Sequence, residues 1–331
     1  MKQYNSYHRL LVAFLFIWIC GLSACDYIHD ELPPCKHYLS FVYDYNMKYA
    51  DAFTHEVDRV NLYIFDKEGK LLDERLIEGE ELKANRIELG LEPGTYQLMA
   101  WGGLNETDYA WEQLTIGTST PADFQMAVKY DNHTVSRELT GLFQGRLTLE
   151  IPDGGETHTL FPVMKDTNKL RFVLQDTANG TALDADDFTF TVVTRNSDLD
   201  ADNRPLSNEP LTWLPYYQET VQVIGSDGQP SVSAVCAELN TLRLMDGSET
   251  SLLIGDKASG RILLDVDLTD FLLLTKMEAH NIPAQEYLDR QDEYAVVIFL
   301  SRTGNGYHCL EVIVNDWTIR LDDLGLGNEE L

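Results

Sequence analysis

The sequence predicts an all-β protein built from two β-sandwich domains in tandem, with a short helical insertion in the second. Apolar residues alternate with period two over many short segments, the mark of strands with one buried face. Turns rich in Gly, Pro and Asp separate those segments at short intervals, as in a sandwich. No fixed-period repeat runs through the chain, which disfavours a solenoid or a propeller.

The first series starts with Leu39, Phe41, Tyr43 and Tyr45, then Val60, Leu62 and Ile64 before the Asp66–Lys70 turn. Gly69 supplies the positive φ that a hairpin turn needs there. Ile87, Leu89 and Leu91 alternate next, Pro93-Gly94 turns the chain, and Tyr96–Trp101 returns it. Leu147, Leu149 and Ile151 close the series at Pro152-Asp153-Gly154-Gly155. The second series begins with Leu170, Phe172 and Leu174, and continues through Phe188–Val193, Val221–Ile224, Thr241–Met245, Leu252–Ile254 and Ile262–Leu268. Leu268–His280 and Ala284–Asp289 carry a helical pattern interrupted by Pro283. Strands resume at Tyr294–Leu300 and Tyr307–Val314, followed by Trp317 and an acidic tail over 321–331.

The N-terminus is of a different kind. Lys2 and Arg9 precede an apolar run, Leu10–Ile19, that is too short to span a bilayer and has the size of a signal-peptide core. Leu22-Ser23-Ala24-Cys25 then resembles a bacterial lipoprotein signal, which implies cleavage before Cys25 and fatty acyl chains such as palmitate on that cysteine. The expected organisation is a signal peptide over 1–24, a lipidated tether over 25–36, an N-terminal sandwich over 37–160 and a C-terminal sandwich with acidic tail over 161–331. Pro33-Pro34 makes the tether extended rather than helical.

Charge and motifs narrow the function. Cleavage before Cys25 removes Lys2 and Arg9 and takes the formal net charge from −29 to −31. Such a surface repels phosphate backbones, so nucleic acid is not an expected partner. It also repels anionic lipid headgroups, which leaves the acyl chains to hold the protein. No nucleophile elbow, zinc helix, phosphate loop or dinucleotide turn occurs, and the histidines lack ligand spacing. No catalytic residue, enzymatic activity or cofactor is therefore expected, apart from covalent lipid on Cys25. Asp198, Asp200, Asp202 and Glu209 occupy positions 1, 3, 5 and 12 of a calcium-type loop. Asn203 stands where that loop takes Gly, and a polar turn between strands is the favoured reading, so no metal is expected. Trp101, Tyr109, Trp111, Trp213, Tyr216 and Tyr217 offer either a sugar-stacking platform or core aromatics. Cys35, Cys236 and Cys309 leave disulfide pairing open, and the last two suit small hydrophobes within strands.

Several segments resemble the fimbrial anchor family of Bacteroidales, the FimB-like minor-fimbrium anchoring lipoproteins. They are Cys25–Cys35 with its Pro33-Pro34-Cys35 end, Phe41–Met47 with Tyr43-Asp44-Tyr45-Asn46, Val60–Asp66, Leu91–Tyr96 and Ala100–Leu104. The resemblance implies transthyretin-like sandwiches, an outer-membrane lipid anchor, and fimbrial pilin subunits as partners in a strand-exchange pilus. The acidic start Asp26, Asp30 and Glu31 points to the cell-surface side, and the nearness of the first strand to Cys25 leads to the expectation that this strand stays in place and ends polymer growth. The C-terminal segment, with Val312, Val314 and Trp317, is then the candidate donor strand for an adjacent pilin, although its alternation equally suits the last strand of a closed domain. The alternative function is a surface glycan- or solute-binding lipoprotein of a nutrient-uptake complex.

Overall fold

A computed structural model describes residues 36–177, 183–206, 209–224, 230–276, 281–303, 306–315 and 317–319. Cys25, Cys35 and the 321–331 tail lie outside the described residues.

The first alternating run forms β1 (His37–Val42), with Leu39 and Phe41 in the core. It is shorter than the expected Leu39–Tyr45 because Asp51 Oδ1 accepts from the Tyr43 amide at 2.9 Å and ends the ladder. Helix α1 (Phe53–Glu56) leads to β2 (Arg59–Phe65), a turn with Gly69 at φ 80°, and β3 (Leu71–Glu78). Helix α2 (Gly79–Ala84) ends on Asn85 in the left-handed region, before β4 (Ile87–Glu88) and β5 (Gly94–Gly102). The Ile87–Leu91 alternation thus yields only two paired residues. An excursion through β6 (Tyr109–Trp111), β7 (Gln125–Val128) and β8 (Thr134–Val135) precedes β9 (Phe143–Ile151), β10 (Thr157–Pro162) and β11 (Met164–Lys165).

Two sheets make the first sandwich, five strands in the order β11-β9-β5-β2-β3 and three in the order β10-β1-β4. Leu39 and Phe41 of β1 meet Leu62, Ile64, Leu98, Ala100 and Leu149 in its core. β10 and β11 keep pairing with first-sandwich strands as far as Lys165, and the chain crosses over at Asp166.

The second sandwich begins with β12 (Thr167–Asp176) and continues through β13 (Phe188–Thr194), β14 (Asp198–Asp200), β15 (Leu211–Trp213), β16 (Tyr217–Ile224) and β17 (Pro230–Leu242). Then come β18 (Ser251–Asp256), β19 (Arg261–Val266), α3 (Leu268–Leu273), α4 (Ala284–Arg290), β20 (Glu293–Thr303), β21 (Gly306–Val314) and β22 (Trp317–Ile319). Six strands, β16-β17-β12-β20-β21-β22, oppose five, β19-β18-β13-β15-β8. The helical insertion starts where the pattern places it, but α3 is shorter than the expected Leu268–His280. Asp267 Oδ1 caps it by accepting from the Asp270 amide at 2.9 Å, i→i−3 bonds from Leu274, Thr275 and Lys276 tighten its end, and Pro283 precedes α4.

The two sandwiches share strands. β8, from the first half of the chain, adds to a sheet of the second sandwich by parallel pairing with β15. β14, from the second half, pairs with β7 beside β6 in a small fifth sheet. One continuous core therefore joins Tyr63, Met99 and Trp101 to Leu170, Phe172 and Leu239. This explains why β2 reads Leu62-Tyr63-Ile64-Phe65 without a polar break: Leu62 and Ile64 face the first core, and Tyr63 and Phe65 face the shared one. Trp101 is fully buried and stacks on Phe124 at 5.2 Å between centroids. Truncating a buried aromatic of this kind costs about 3–5 kcal/mol.

Candidate functional site

Three regions stand out as candidate sites: the seat of β1, the seam between the sandwiches, and the C-terminal edge. β1 lies between β10, parallel over His37↔Thr157 to Val42↔Pro162, and β4, antiparallel at Tyr38 and Leu39. His37 Nδ1 and Thr157 Oγ1 stand 2.6 Å apart. Ser40 donates its hydroxyl proton to the Asn85 carbonyl, so its oxygen accepts from His158 Nε2 at 2.7 Å. That polarity is the reverse of an activated nucleophile, whose hydroxyl would donate to the imidazole. Beyond the two pairs with β4, the side chain of Asn85 takes over the ladder. Its Oδ1 accepts from the Phe41 amide at 2.8 Å and its Nδ2 donates to the Phe41 carbonyl at 2.7 Å. Asn tolerates the φ of 46° that aims it there, and Lys83-Ala84-Asn85 is a helix C-terminal signal legible in sequence.

Across the seam, polar groups are buried and largely paired. Lys165 Nζ reaches Glu56 and Asp292, each at 2.7 Å, joining α1 of the first sandwich to the link between α4 and β20. Burial would lower the Lys165 pKa, but the two carboxylates outweigh it and hold the ammonium charged. Arg243 grips Asp289 of α4 with two bonds of 2.8 Å and donates to the Asn203 carbonyl. Asp166, at the crossover, is fully buried and accepts from Asn203 Nδ2 at 2.6 Å. Its second oxygen and Asn203 Oδ1 find no hydrogen-bond partner among the described residues. Burial pushes the Asp166 pKa up to about 7, with Asn203 and Arg243 only partly opposing. Sequence reasoning missed Asp166, Arg243 and Asp289, because nothing in the polar run Lys165-Asp166-Thr167 marks one carboxylate as interior. Asn203, read as the wrong residue for a metal loop, sits at φ 62° and carries the link to Asp166.

The structure uses the other oxygens of that loop in a turn. Asp200 Oδ1 accepts from the amides of Asp202 at 2.8 Å and Arg204 at 2.9 Å. Asp202 pairs with Arg146 and Arg204, Asp198 stands on β14, and Glu209 is exposed. No cluster of potential metal ligands forms among the described residues.

At the C-terminal edge, Val312 and Val314 of β21 are fully buried in the protein's own core. They pair with Ile298 and Val296 of β20 on one side, and with Ile319 and Trp317 of β22 on the other. β22 is the outermost strand of its sheet.

The aromatic set divides. Trp101, Tyr109 and Trp213 are core residues at 0%, 0% and 1% exposure, so they offer no stacking platform, and only Trp111, Tyr216 and Tyr217 remain partly accessible. A shallow cleft of about 270 Å³, lined by Lys169, Arg171, Glu293, Tyr294, Ala295 and Asn315, opens on the outer face of the six-stranded sheet. Its cations are already engaged: Glu238 receives Lys169 at 3.0 Å and Arg171 at 2.5 Å, and accepts from the Tyr216 hydroxyl at 2.9 Å. Burial alone would raise the Glu238 pKa, yet those three bonds pull it below the usual carboxylate range. Cys236 and Cys309 are free thiols, half-buried in β17 and β21. No described helix is long and apolar enough to cross a membrane.

Comparison with known proteins follows the same lines. The family model of "Fimbrillin-A associated anchor proteins Mfa1 and Mfa2" matches residues 32–323. The chain is 23% identical over 340 residues to the minor fimbrium anchoring subunit Mfa2 of Porphyromonas gingivalis, covering 98% of this chain and 99% of that protein. A solved structure from Bacteroides thetaiotaomicron, described as a candidate adhesin, superposes with a TM-score of 0.77 at 32% identity, over 88% of this chain and 99% of that one. Another from the same organism, described as a candidate polysaccharide-binding protein, gives 0.74 at 33% identity, over 86% and 98%.

Proposed function

The chain belongs to the family of Fimbrillin-A associated anchor proteins, and from that premise we propose that it is the base of a fimbrium. In this reading it is a lipoprotein held at the outer membrane by acyl chains on Cys25, on the cell-surface side, and its folded body holds fimbrial pilin subunits. It performs no chemistry, in keeping with the engaged Ser40–His158 pair and the neutralised cleft.

The observation that carries the reading is the seat of β1. A sandwich lacking a strand leaves an apolar groove and unpaired backbone groups that a neighbour's extended segment fills. Here β1 fills that place itself, with Leu39 and Phe41 in the core, twelve positions after Cys25. Proteolysis that removed β1 would also sever the tether. An anchor that keeps this strand stays on lipid and accepts no donor, so polymer growth stops at it and its supply limits fimbrial length. On the other side, Val312 and Val314 stay within the protein's own core, so the segment offered to an adjacent pilin starts after Val314, with Trp317 and the 321–331 tail.

Replacing Cys25→Ala in cells tests the anchoring role. Assembled fimbriae then shed into the medium, and the protein leaves the membrane fraction. Fimbriae that stay attached, or native protein that mass spectrometry finds without acyl chains at Cys25, overturn it. Deleting residues 321–331 tests the donor role separately, since fimbriae still attached after that deletion exclude it.

A further inference from the structure

We propose that β1 is a load-bearing strand, which takes filament tension in shear and is held in register by the side-chain ties of Asn85, Ser40–His158 and His37–Thr157. The proposal rests on the anchoring role above, which places the pull of the lipid at the N-terminal end of β1.

The direction of load follows from the topology. β1 starts at the pole of the first sandwich away from the seam, where His37 pairs with Thr157 close to the Gly94↔Ile151 end of β5 and β9. It ends at the seam. The Val42 carbonyl accepts from the Val163 amide at 2.9 Å, the Tyr43 ring meets Phe143 edge-on at 5.2 Å, and the Met47 amide bonds to the Arg290 carbonyl of the second sandwich at 3.1 Å. A force that enters at His37 and leaves through the second sandwich therefore runs along the axis of β1. Ladder hydrogen bonds lie across a strand, so this geometry loads the β1–β10 ladder all at once, whereas peeling breaks its bonds one at a time.

Failure in shear begins with a slip of register. A slip of one residue would turn Leu39 and Phe41 out of the core, where the Phe41 ring lies 5.2 Å from Phe53 and 5.4 Å from Phe161. It would also break both bonds from Asn85 to the Phe41 backbone. Those bonds stand where β4, which pairs only with Tyr38 and Leu39, gives no backbone partner. Ser40–His158 and His37–Thr157 tie the strand to β10 at two further points.

The test is single-molecule pulling on the mature chain, with handles at its N- and C-termini and lifetime measured at constant force, a quantity set by the unfolding rate. Asn85→Gly keeps the positive φ and removes only the clamp; Ser40→Ala removes a tie and serves as a second variant. A control geometry moves the first handle to the Asp153–Gly155 turn, which takes β1 out of the load path. Asn85→Gly is expected to shorten the lifetime about tenfold under N-terminal load, and by less than about threefold in the control geometry. Ser40→Ala follows the same pattern with a smaller change. Equal effects in the two geometries, or no effect under N-terminal load, overturn the proposal. The anchoring role fails separately: shedding by Cys25→Ala cells with unchanged Asn85→Gly lifetimes leaves an anchor without a shear strand. The reverse pattern leaves a load-bearing strand in a protein that is not a fimbrial base.

Discussion

The first and last described strands of this chain meet their sheets in opposite ways. β1 has a neighbour on each side, core on one face, and side-chain ties at His37, Ser40 and Phe41. β22 has three residues and, among the described residues, one neighbour and an unpaired edge. Both are built of β-prone residues, so intrinsic preference does not separate them. What separates them is enclosure: a strand paired on two sides is a fixture of the fold, and a short edge strand is its most exchangeable part. In the anchoring role proposed above, the fixed strand would lie at the lipid end and the exchangeable one at the other.

The largest effect that tests this contrast is at the fixed strand. Phe41→Ala should cost about 3–5 kcal/mol, measured as a shift in the urea midpoint at constant slope. A cost below about 1 kcal/mol would break the comparison, since the strand would then be held by backbone pairing alone. The seam comes next. Burial raises the Asp166 pKa from about 3.8 in the unfolded chain to about 7 in the folded protein. Below the lower value both states keep the proton, and the stability from this group is full. Between the two values only the folded state keeps it, so stability falls as pH rises and is lowest above the folded pKa. The loss amounts to at most about 4 kcal/mol, and Asp166→Asn should flatten the difference between urea melts at about pH 4.5 and pH 7.5. Arg243→Met would leave Asp289 buried without its partner and should cost about 3 kcal/mol in the same assay. The smallest effect is expected at β22, where Ile319→Ala should cost about 2 kcal/mol, the low end for a buried isoleucine, with no change in slope. A loss there equal to that of Phe41→Ala would make the two strands equivalent and remove the contrast.

Much of the architecture was legible from period two alone. Leu170, Phe172 and Leu174 and Phe188–Val193 proved to be strands, the strand expected over Ile262–Leu268 ends at Val266 where Asp267 caps a helix, and Pro283 precedes α4 as the pattern places it. The Ile87–Leu91 run misled because alternation reports which face is buried and not whether a partner strand lies alongside. The aromatic set misled for a related reason. Trp101 and Trp213 look available in sequence, but the excursion through β6–β8 covers the face of β5, and Trp213 is enclosed with its Nε1 donating to Thr194 at 2.8 Å. The loop at Asp198–Glu209 offered carboxylates with metal-like spacing, and the fold engaged Asp200 in a turn and Asp202 in ion pairs. Asn85 and Asn203 were legible only as residues fit for positive φ; what they bind lies 44 and 37 positions away in the chain.

The sequence by itself determined the class of fold, the position of the helical insertion and the absence of a recognised catalytic motif, because side-chain periodicity, turn chemistry and motif spacing are local properties. The tertiary structure alone decided that β8 and β14 cross between sandwiches, that Asp166 is interior, and that Asn85 completes the ladder on β1. Each of these depends on which surfaces meet, and a contact between distant segments leaves no periodic trace in either of them.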